Sequence, residues 1–334
     1  MANQVPVLVT GGAGYIGSHA VLALSDAGWP VAVIDNLTTG FRWAVPDHVP
    51  FYEGDIADEA LLACIFAEQG TRAVMHFAGS IVVPESVTDP LKYYHNNTVK
   101  SRALLAAAVA AGVPHFIFSS TAATYGIPDV SPVTEQTPQR PINPYGTSKL
   151  MTELMLADVA AAHPLNYCAL RYFNVAGADP AARTGQSTAG ATHLIKVAVE
   201  TVVGLRPKLD VFGNDYPTPD GTCIRDYIHV EDLADAHLRS LERTEPGKAN
   251  YYNAGTGSGA SVREVVEAAR AVTGHPIPTQ EMERRPGDVP RLYADSSKVR
   301  NELGWQPRYI KLQDIVASAW AWHRSHPRGF DDRP

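Results

Sequence analysis

Short apolar runs rich in β-branched and aromatic residues recur along the first half of the chain. They occupy residues 5–10, 30–35, 50–54, 72–77, 114–119 and 166–171. The segments between them are long enough for helices, and this alternation of strand and helix is typical of a parallel sheet covered on both faces. The pattern therefore predicts an α/β fold with a doubly wound parallel sheet.

The alternation weakens after Arg171, where proline and glycine interrupt the sequence repeatedly between residues 177 and 221. We interpret this change as the start of a second domain. We expect a Rossmann-like domain over residues 1–175 and a smaller C-terminal substrate-binding domain over residues 176–334. The part around residues 223–255 is expected to return to the first domain.

Three glycines follow the first apolar run, at positions where a dinucleotide-binding turn needs them. Gly11, Gly14 and Gly17 lie between this run and a predicted helix over residues 16–27. Glycine lets backbone N–H groups approach a pyrophosphate, and the positive end of the helix dipole adds to the attraction. The sequence therefore predicts a dinucleotide site at this turn.

The second apolar run ends in Asp35, roughly 20 residues beyond the glycine turn. A carboxylate at this place accepts hydrogen bonds from the adenosine ribose diol and repels a 2′-phosphate. We therefore expect NAD rather than NADP as the cofactor.

The composition narrows the possible partners. The formal net charge is −7 and the pI is about 5.9, and a mildly acidic chain without a basic block is not expected to bind nucleic acid. The absence of an 18-residue apolar run and of an N-terminal secretion pattern argues against a membrane span or export. Cys64, Cys168 and Cys223 are far apart in the sequence, so we expect buried free thiols in a reducing cytoplasm and no metal site.

A candidate catalytic group follows the fifth apolar run. Thr121 lies just beyond that run, and Tyr145 and Lys149 lie at the head of a predicted helix. Residues four apart share one face of a helix, so both side chains can point into the same cleft. We expect the Lys149 ammonium, together with the positive nicotinamide ring of NAD⁺, to lower the pKa of Tyr145, so that Tyr145 acts as a base while Thr121 hydrogen-bonds the substrate oxygen.

Two predicted helices, over residues 95–111 and 145–162, are broader in apolar character than an ordinary surface helix. Two interpretations remain open for them. They form the interface of a homodimer, or they are buried between the sheet and neighbouring loops.

With these residues in view, the chain resembles the UDP-glucose (UDP-galactose) 4-epimerases of the extended short-chain dehydrogenase/reductase superfamily. The resemblance runs nearly from end to end and includes several blocks that are peculiar to the epimerases. The matching blocks are residues 11–17, 35–37, 53–56, 76–79, 85–87, 93–97, 145–149, 171–174, 212–218, 225–230 and 284–288.

The resemblance assigns NAD binding to the first domain and UDP-sugar binding to the second. The implied NAD-binding residues are Gly11, Gly14, Tyr15, Ile16, Gly17, Asp35, Asn36, Asp55, Ile56, Phe77, Ala78, Gly79, Asn96, Lys149 and Phe173. The implied substrate-binding residues are Thr121, Tyr145, Asn174, His193, Phe212, Arg225, Arg285, Asp288 and Leu292.

Three positions depart from the commonest family pattern. Ile81 stands where a lysine is frequent, which removes a positive charge near the cofactor. Leu292 stands where the family has a tyrosine or a small residue beside the sugar, and His193 replaces an asparagine. The other histidines, His229 among them, are expected to be structural.

The resemblance implies reversible epimerisation of UDP-glucose and UDP-galactose at C4 through a transient 4-keto sugar and tightly bound NAD. Epimerisation of another UDP-sugar (UDP-xylose/UDP-arabinose or UDP-GlcNAc) is the first alternative. A nucleotide-sugar dehydratase would need an acid and a base after Thr121, where this chain has Ala122 and Ala123. A non-catalytic NAD-binding sensor would be expected to have lost Tyr145 or Lys149.

Overall fold

The computed structural model describes residues 4–243, 250–285 and 287–332. The strands in chain order are β1 (Val7–Thr10), β2 (Val31–Asp35), β3 (Phe51–Glu53), β4 (Ala73–His76), β5 (His115–Thr121), β6 (Asn166–Tyr172), β7 (Asn174–Ala176), β8 (Leu209–Phe212), β9 (Ile224–His229), β10 (Asn250–Ala254), β11 (Gly259–Ser261), β12 (Thr279–Met282) and β13 (Arg291–Leu292). All six apolar runs of the first half form strands, as predicted.

The α-helices are α1 (Tyr15–Asp26), α2 (Glu59–Gln69), α3 (Val83–Thr88), α4 (Pro90–Tyr93), α5 (Lys100–Ala110), α6 (Pro144–Ala162), α7 (Leu194–Val202), α8 (Val230–Arg243), α9 (Val262–Thr273), α10 (Ser297–Leu303) and α11 (Leu312–Ser325). A π-helical turn over Tyr94–Val99 leads into α5. Within the described ranges, no helix is long and apolar enough to span a bilayer.

A seven-stranded sheet forms the centre of the larger part, in the order β10-β6-β5-β4-β1-β2-β3. Its neighbouring strands are all parallel. One face packs against α1, α8 and α10 through side chains such as Leu24, Leu233 and Val299, and the other packs against α2, α5 and α6. The doubly wound α/β fold is confirmed. Burial on both faces explains why these strands are apolar at nearly every position.

The order of the strands determines where a ligand can bind. β1 lies between β2 and β4, so the connections leave it in opposite directions, and ligands of such sheets bind beyond the carboxyl ends of the strands at this switch point. Gly11, Asp35, Phe77 and Thr121 all follow or end strands at this edge.

The second half contains more regular structure than its prolines and glycines suggest. β9 pairs with β7, β11 and β13 in a smaller sheet, and β8 pairs with β12. An apolar cluster joins these strands to α7, α9 and α11. β10, from the segment expected to return, extends the large sheet beside β6. The division at residues 175 and 176 stays a prediction.

The cysteines are free, but one of them is not buried. Cys168 and Cys223 are buried, as expected, whereas Cys64 is exposed. Cys64 lies on α2, and the apolar side chains of this helix that enter the core are Leu62, Ile65 and Phe66. The apolar neighbours of Cys64 in the sequence therefore gave a wrong prediction of its burial.

Candidate active site

The glycine turn between β1 and α1 leaves no room for side chains at two of its three predicted positions. Gly11 has φ +69°, and a Cβ there would lie 2.6 Å from the Ala78 nitrogen. A Cβ on Gly17 would lie 2.1 Å from the Gly11 oxygen. Gly14 precedes α1 as its N-cap, and a Cβ there would meet only the Gly11 oxygen, at 3.3 Å. The turn is thus a cradle at a helix N-terminus, which suits a pyrophosphate.

Asp35 ends β2 beside this cradle with its carboxylate held from two directions. Oδ2 accepts a hydrogen bond from the Ala13 N–H at 2.9 Å, and Oδ1 accepts one from the Leu37 N–H at 2.8 Å. Burial raises the pKa of Asp35, and these two N–H donors oppose the rise. Asn36 is exposed and its Oδ1 accepts from Thr38. The cradle and the oriented carboxylate fit an NAD pyrophosphate and ribose.

The residues predicted to flank adenine follow β3. Asp55 accepts a hydrogen bond from the Lys100 ammonium at 2.5 Å; burial raises the pKa of Asp55, but this ammonium and the Ala57 N–H lower it below its usual range. Ile56 is buried in the apolar cluster under α2 and α5. A contact between Ile56 and adenine would therefore come from its backbone.

The segment after β4 covers the middle of the same edge. The N–H groups of Phe77 and Ala78 both donate to the Thr10 carbonyl, at 2.9 and 3.1 Å. The Phe77 ring packs against His237, with centroids 4.7 Å apart. Asn96 donates to the Ser80 hydroxyl at 3.0 Å. These contacts place the predicted Phe77–Gly79 segment and Asn96 close to one another.

Tyr145 and Lys149 lie on one face of α6, as their spacing predicts. Asn143 caps the helix by accepting from the Gly146 N–H at 2.8 Å, which places Tyr145 in the first turn. Lys149 is buried and donates to the Ser119 carbonyl at 3.1 Å. Burial lowers the pKa of Lys149 to about 8, and nearby Glu153 opposes this change.

The pKa of Tyr145 in the protein itself depends on its burial and on Thr121. Burial raises the pKa of Tyr145 in the protein itself, and a hydrogen bond with Thr121 opposes the rise. The predicted lowering of the Tyr145 pKa requires the nicotinamide ring of bound NAD⁺ as well as Lys149, and it stays a prediction. The structure does place Thr121, Tyr145 and Lys149 together at the carboxyl edge of β5.

Two predicted nucleotide-binding arginines, Arg225 on β9 and Arg285 after β12, meet at the carboxylate of Asp288. Asp288 accepts from the Arg285 Nε at 3.1 Å and lies 3.8 Å from an Arg225 nitrogen. Arg225 also donates to the Val289 carbonyl at 2.6 Å. The Arg285 guanidinium lies over the Phe212 ring, 4.5 Å from its centroid. Two guanidinium groups and an aromatic ring together fit a nucleoside diphosphate. Pro286, within the matching block, lies outside the described residues.

Asn174 and His193 line a small pocket that also includes Tyr227. His193 precedes α7 and interacts with Gln186 through Nδ1 at 2.8 Å. Burial lowers the pKa of His193 to about 4, so this ring is neutral near pH 7. His193 can therefore offer a hydrogen bond to a ligand but no positive charge.

Leu292 and Phe173 meet on the sugar side of the predicted site. Leu292 is 9% exposed and belongs to an apolar cluster with Tyr125 and Val289, and Phe173 packs against this cluster. Ile81, which replaces the frequent lysine, is 47% exposed. His229 stacks on Tyr309 at 3.9 Å, which agrees with a structural role.

The sequence analysis missed residues that hold this arrangement from behind. Asn97 is buried, accepts from the Ser80 N–H at 2.7 Å and donates to the Ser148 hydroxyl at 3.0 Å, so it joins the cofactor segment to α6. Glu153 binds Arg171 and Ser120 beneath Lys149. The signal that the sequence offered for Asn97 was an amide side chain within a predicted helix of apolar character, where a polar group needs hydrogen-bond partners if it is buried.

Comparison with known proteins shows which protein family has these features. The model of the "NAD dependent epimerase/dehydratase family" matches residues 7–255. A "UDP-glucose 4-epimerase" of Azospirillum brasilense is 57% identical over 96% of this chain and 92% of its own. The UDP-glucose 4-epimerase of Bifidobacterium longum in complex with NAD+ and UDP has a TM-score of 0.93 at 41% identity, covering 97% of this chain and 100% of its own. The UDP-Glc/GlcNAc 4-epimerase of Campylobacter jejuni has a TM-score of 0.84 at 46% identity, covering 96% and 99%.

Proposed function

Because the chain belongs to the NAD dependent epimerase/dehydratase family, we propose that it is an NAD-dependent enzyme that interconverts UDP-glucose and UDP-galactose at C4. The observation that supports this most directly is the buried group Thr121, Tyr145 and Lys149 at the sheet edge. The glycine cradle at the same sheet edge would hold the cofactor, and Arg225 on β9 and Arg285 after β12 supply the positive charge that we assign to nucleotide binding.

Each side chain has a distinct task in the reaction. Tyr145 removes the proton of the C4 hydroxyl, and Thr121 hydrogen-bonds the same oxygen. Lys149 holds the cofactor ribose and contributes positive charge beside the phenol. NAD, when bound, accepts a hydride from C4 and returns it, so that it is regenerated in each cycle.

Inversion at C4 requires the 4-keto sugar to turn over before the hydride returns. Arg225 and Arg285 keep the UDP group bound during this motion, while the sugar moves against the apolar wall that contains Leu292. The sugar contacts must therefore be weaker than the nucleotide contacts. Tight retention of NAD follows from the same cycle, since the cofactor leaves it unchanged.

The residues after Thr121 favour epimerisation over dehydration. Ala122 and Ala123 begin a short 3₁₀ turn there, and neither side chain can move a proton. A non-catalytic sensor role is disfavoured because Tyr145 and Lys149 are both present and adjacent. Other UDP-sugars remain as alternative substrates, and the relative that acts on UDP-GlcNAc makes that sugar the one to compare first.

A panel of UDP-sugars tests this function. Purified protein without added cofactor is incubated with UDP-glucose, UDP-galactose, UDP-xylose and UDP-GlcNAc, and the epimers are separated by chromatography. We expect turnover of the first two and release of NAD on denaturation. Absence of turnover with every sugar, with and without added NAD, would contradict the proposal.

We also propose a homodimer, with α5, the π-helical turn before it and α6 at the interface. Apolar side chains on these elements and the preceding helices are exposed, and they form a candidate interface for a second copy: Val87, Leu91, Val99, Met151 and Leu154. The Leu154→Glu variant should scatter light as one chain of 36.0 kDa, and the wild type as two. A wild-type monomer at micromolar concentration would reject the dimer.

The three free cysteines support the predicted cytoplasmic location.

A further inference from the structure

Phe330, in the last described segment, is buried against residues from distant parts of the sequence as well as against α11. Its side chain is 3% exposed. Its ring centroid lies 5.5 Å from that of Phe41 and 5.2 Å from that of Trp322. Ala44 and Ala178 complete this apolar cluster, which we call the Phe330 cluster. It joins three parts of the chain: the segment after β2, the loop after β7, and the segment after α11.

The cluster is tied to the glycine cradle through Phe41. The Phe41 N–H donates to the Ala13 carbonyl at 3.0 Å. A Cβ on Gly40 would lie 2.8 Å from the Ala13 carbonyl carbon, so these two backbone segments are in close contact. Ala13 is also the residue whose N–H orients Asp35. Phe41 therefore cannot move away without disturbing the cradle.

Phe330 itself is fixed by its backbone. Its N–H donates to the Ser187 hydroxyl at 3.3 Å. Gly329 has φ +67°, and a Cβ there would lie 2.4 Å from the Ser187 oxygen, so only glycine fits this approach. A small pocket lies between the cluster and the cradle, with Gly14 and Tyr15 on one side and Phe41, Ser187 and Phe330 on the other.

We propose that Phe330 is a positioning residue that slows the release of NAD. By filling the cluster, it holds the Phe41 segment against the cradle. Release of the cofactor requires that segment to move outward, which exposes the three aromatic rings to water. The inference rests on the proposed function, because it takes NAD as the cofactor.

The experiment measures the rate at which bound NAD exchanges. Protein loaded with labelled NAD is diluted into excess unlabelled NAD, and the label that remains bound is followed with time. We expect Phe330→Ala to release NAD at least ten times faster than the wild type. Phe330→Leu should lie between them, because it refills part of the cluster. Phe41→Leu should speed release from the other side of the contact.

A control separates this role from general stability. Ile277→Ala removes a buried side chain from the cluster around α7, α9 and α11, away from the cradle. It should lower the melting temperature and leave NAD release unchanged. Equal release rates in Phe330→Ala, Phe41→Leu and the wild type would overturn the proposal. If the wild type binds no labelled NAD at all, the proposed function fails instead. If Phe330→Ala does not fold, Phe330→Leu and Phe41→Leu decide the result.

Discussion

The cofactor side and the nucleotide side of the predicted site use different kinds of group: the first is formed by the backbone and the second by long side chains. On the cofactor side, backbone packs on backbone, since a Cβ on Gly11 or Gly17 would lie within 3 Å of neighbouring main-chain atoms. On the nucleotide side, long side chains carry the binding groups, and those of Arg225 and Arg285 are 15% and 46% exposed. A backbone cradle cannot adapt, whereas side chains can rearrange. The difference suits a cofactor that stays and a substrate that exchanges.

The largest expected effect lies where the two sides meet. Tyr145→Phe removes only the phenolic oxygen, and a positioned acid–base group contributes roughly 10²–10⁴-fold to a rate. We expect kcat to fall by about that factor, while the fold and the bound NAD are retained. Steady-state kinetics and the NAD content of the purified variant measure these effects.

Tyr93 supplies a matched control for the loss of a hydroxyl. Its ring contacts the Tyr145 ring edge to face, but its hydroxyl donates to the Val82 carbonyl at 2.6 Å. Tyr93→Phe should keep kcat within about threefold of the wild type, a change of less than about 1 kcal/mol. A Tyr145→Phe variant with wild-type kcat would remove Tyr145 from the mechanism.

The nucleotide side can be weakened without affecting the cofactor. Arg225→Ala and Arg285→Ala each remove a charged group that we propose as a partner of the pyrophosphate, and a hydrogen bond to a charged group is worth roughly 1.5–3 kcal/mol. We expect KM to rise about 10- to 100-fold, more for Arg225, because its side chain is the better shielded from water. NAD content should not change.

Arg284 is the control for these arginines. It binds Asp215 through Nε at 2.6 Å and lies next to Arg285 in the sequence. Arg284→Ala should raise KM by less than about threefold, as expected for an exposed ion pair. Unchanged KM and unchanged competition by UDP in both Arg225→Ala and Arg285→Ala would show that these residues do not bind the nucleotide.

The cofactor side also contains a half-buried acid whose titration affects stability. Glu231, in the first turn of α8, has an Oε1 atom 3.9 Å from the His19 Nε2 on α1, and within the described ranges neither atom has a hydrogen-bond partner. Burial raises the pKa of Glu231 to about 7. Asp179 adds to the rise, while Arg308 and Arg183 oppose it. Burial lowers the pKa of His19 to about 4.

The pKa shifts of Glu231 and His19 change the stability in opposite directions as the pH rises. A raised acid pKa gives Glu231 a stabilising contribution that is full below pH 4.5 and is lost as the pH rises through about 7. The contribution of His19 is full above pH 6.5 and is lost as the pH falls through about 4. Only the Glu231 contribution disappears in Glu231→Gln.

Unfolding in urea at pH 5 and pH 8 tests this assignment. Between these two values, the wild type should lose on the order of 2 kcal/mol of unfolding free energy relative to Glu231→Gln. Glu267→Gln, at an exposed position on α9, is the control. A difference between the wild type and Glu231→Gln that is constant with pH would contradict the pKa assigned to Glu231.

The features that the sequence could predict are those set by residues close together in the chain. The strands, the glycine turn and Asp35 follow from local patterns, because the residues that decide them are close in the sequence. The burial that raises the pKa of Tyr145 does not, because it comes from elements that are distant in the sequence. Asn97 was missed for the same reason, since its partners Ser80 and Ser148 are brought to it by the fold.

The smallest expected effect concerns Leu292, which is tightly packed although it lies on the substrate side of the predicted site. Leu292 lies on β13, in register with Arg225 on β9, and is packed with Tyr125 and Val289. An N-acetyl group at C2 would meet a side chain that cannot hydrogen-bond its amide, at a cost of about 1–3 kcal/mol. We therefore predict that the wild type prefers UDP-glucose to UDP-GlcNAc by tenfold or more in kcat/KM.

Two variants at this position separate space from polarity. Leu292→Ala opens the wall without adding a polar group, and Leu292→Ser opens it and adds a hydroxyl. Both should narrow the preference, and serine should narrow it further if the unsatisfied amide accounts for part of the cost. Similar kcat/KM for UDP-glucose and UDP-GlcNAc in the wild type would mean that the residues around Leu292 move aside for the N-acetyl group as readily as exposed arginine side chains rearrange. The rigid part of the site would then be the cofactor side alone, and the whole substrate side, Leu292 included, would be adaptable.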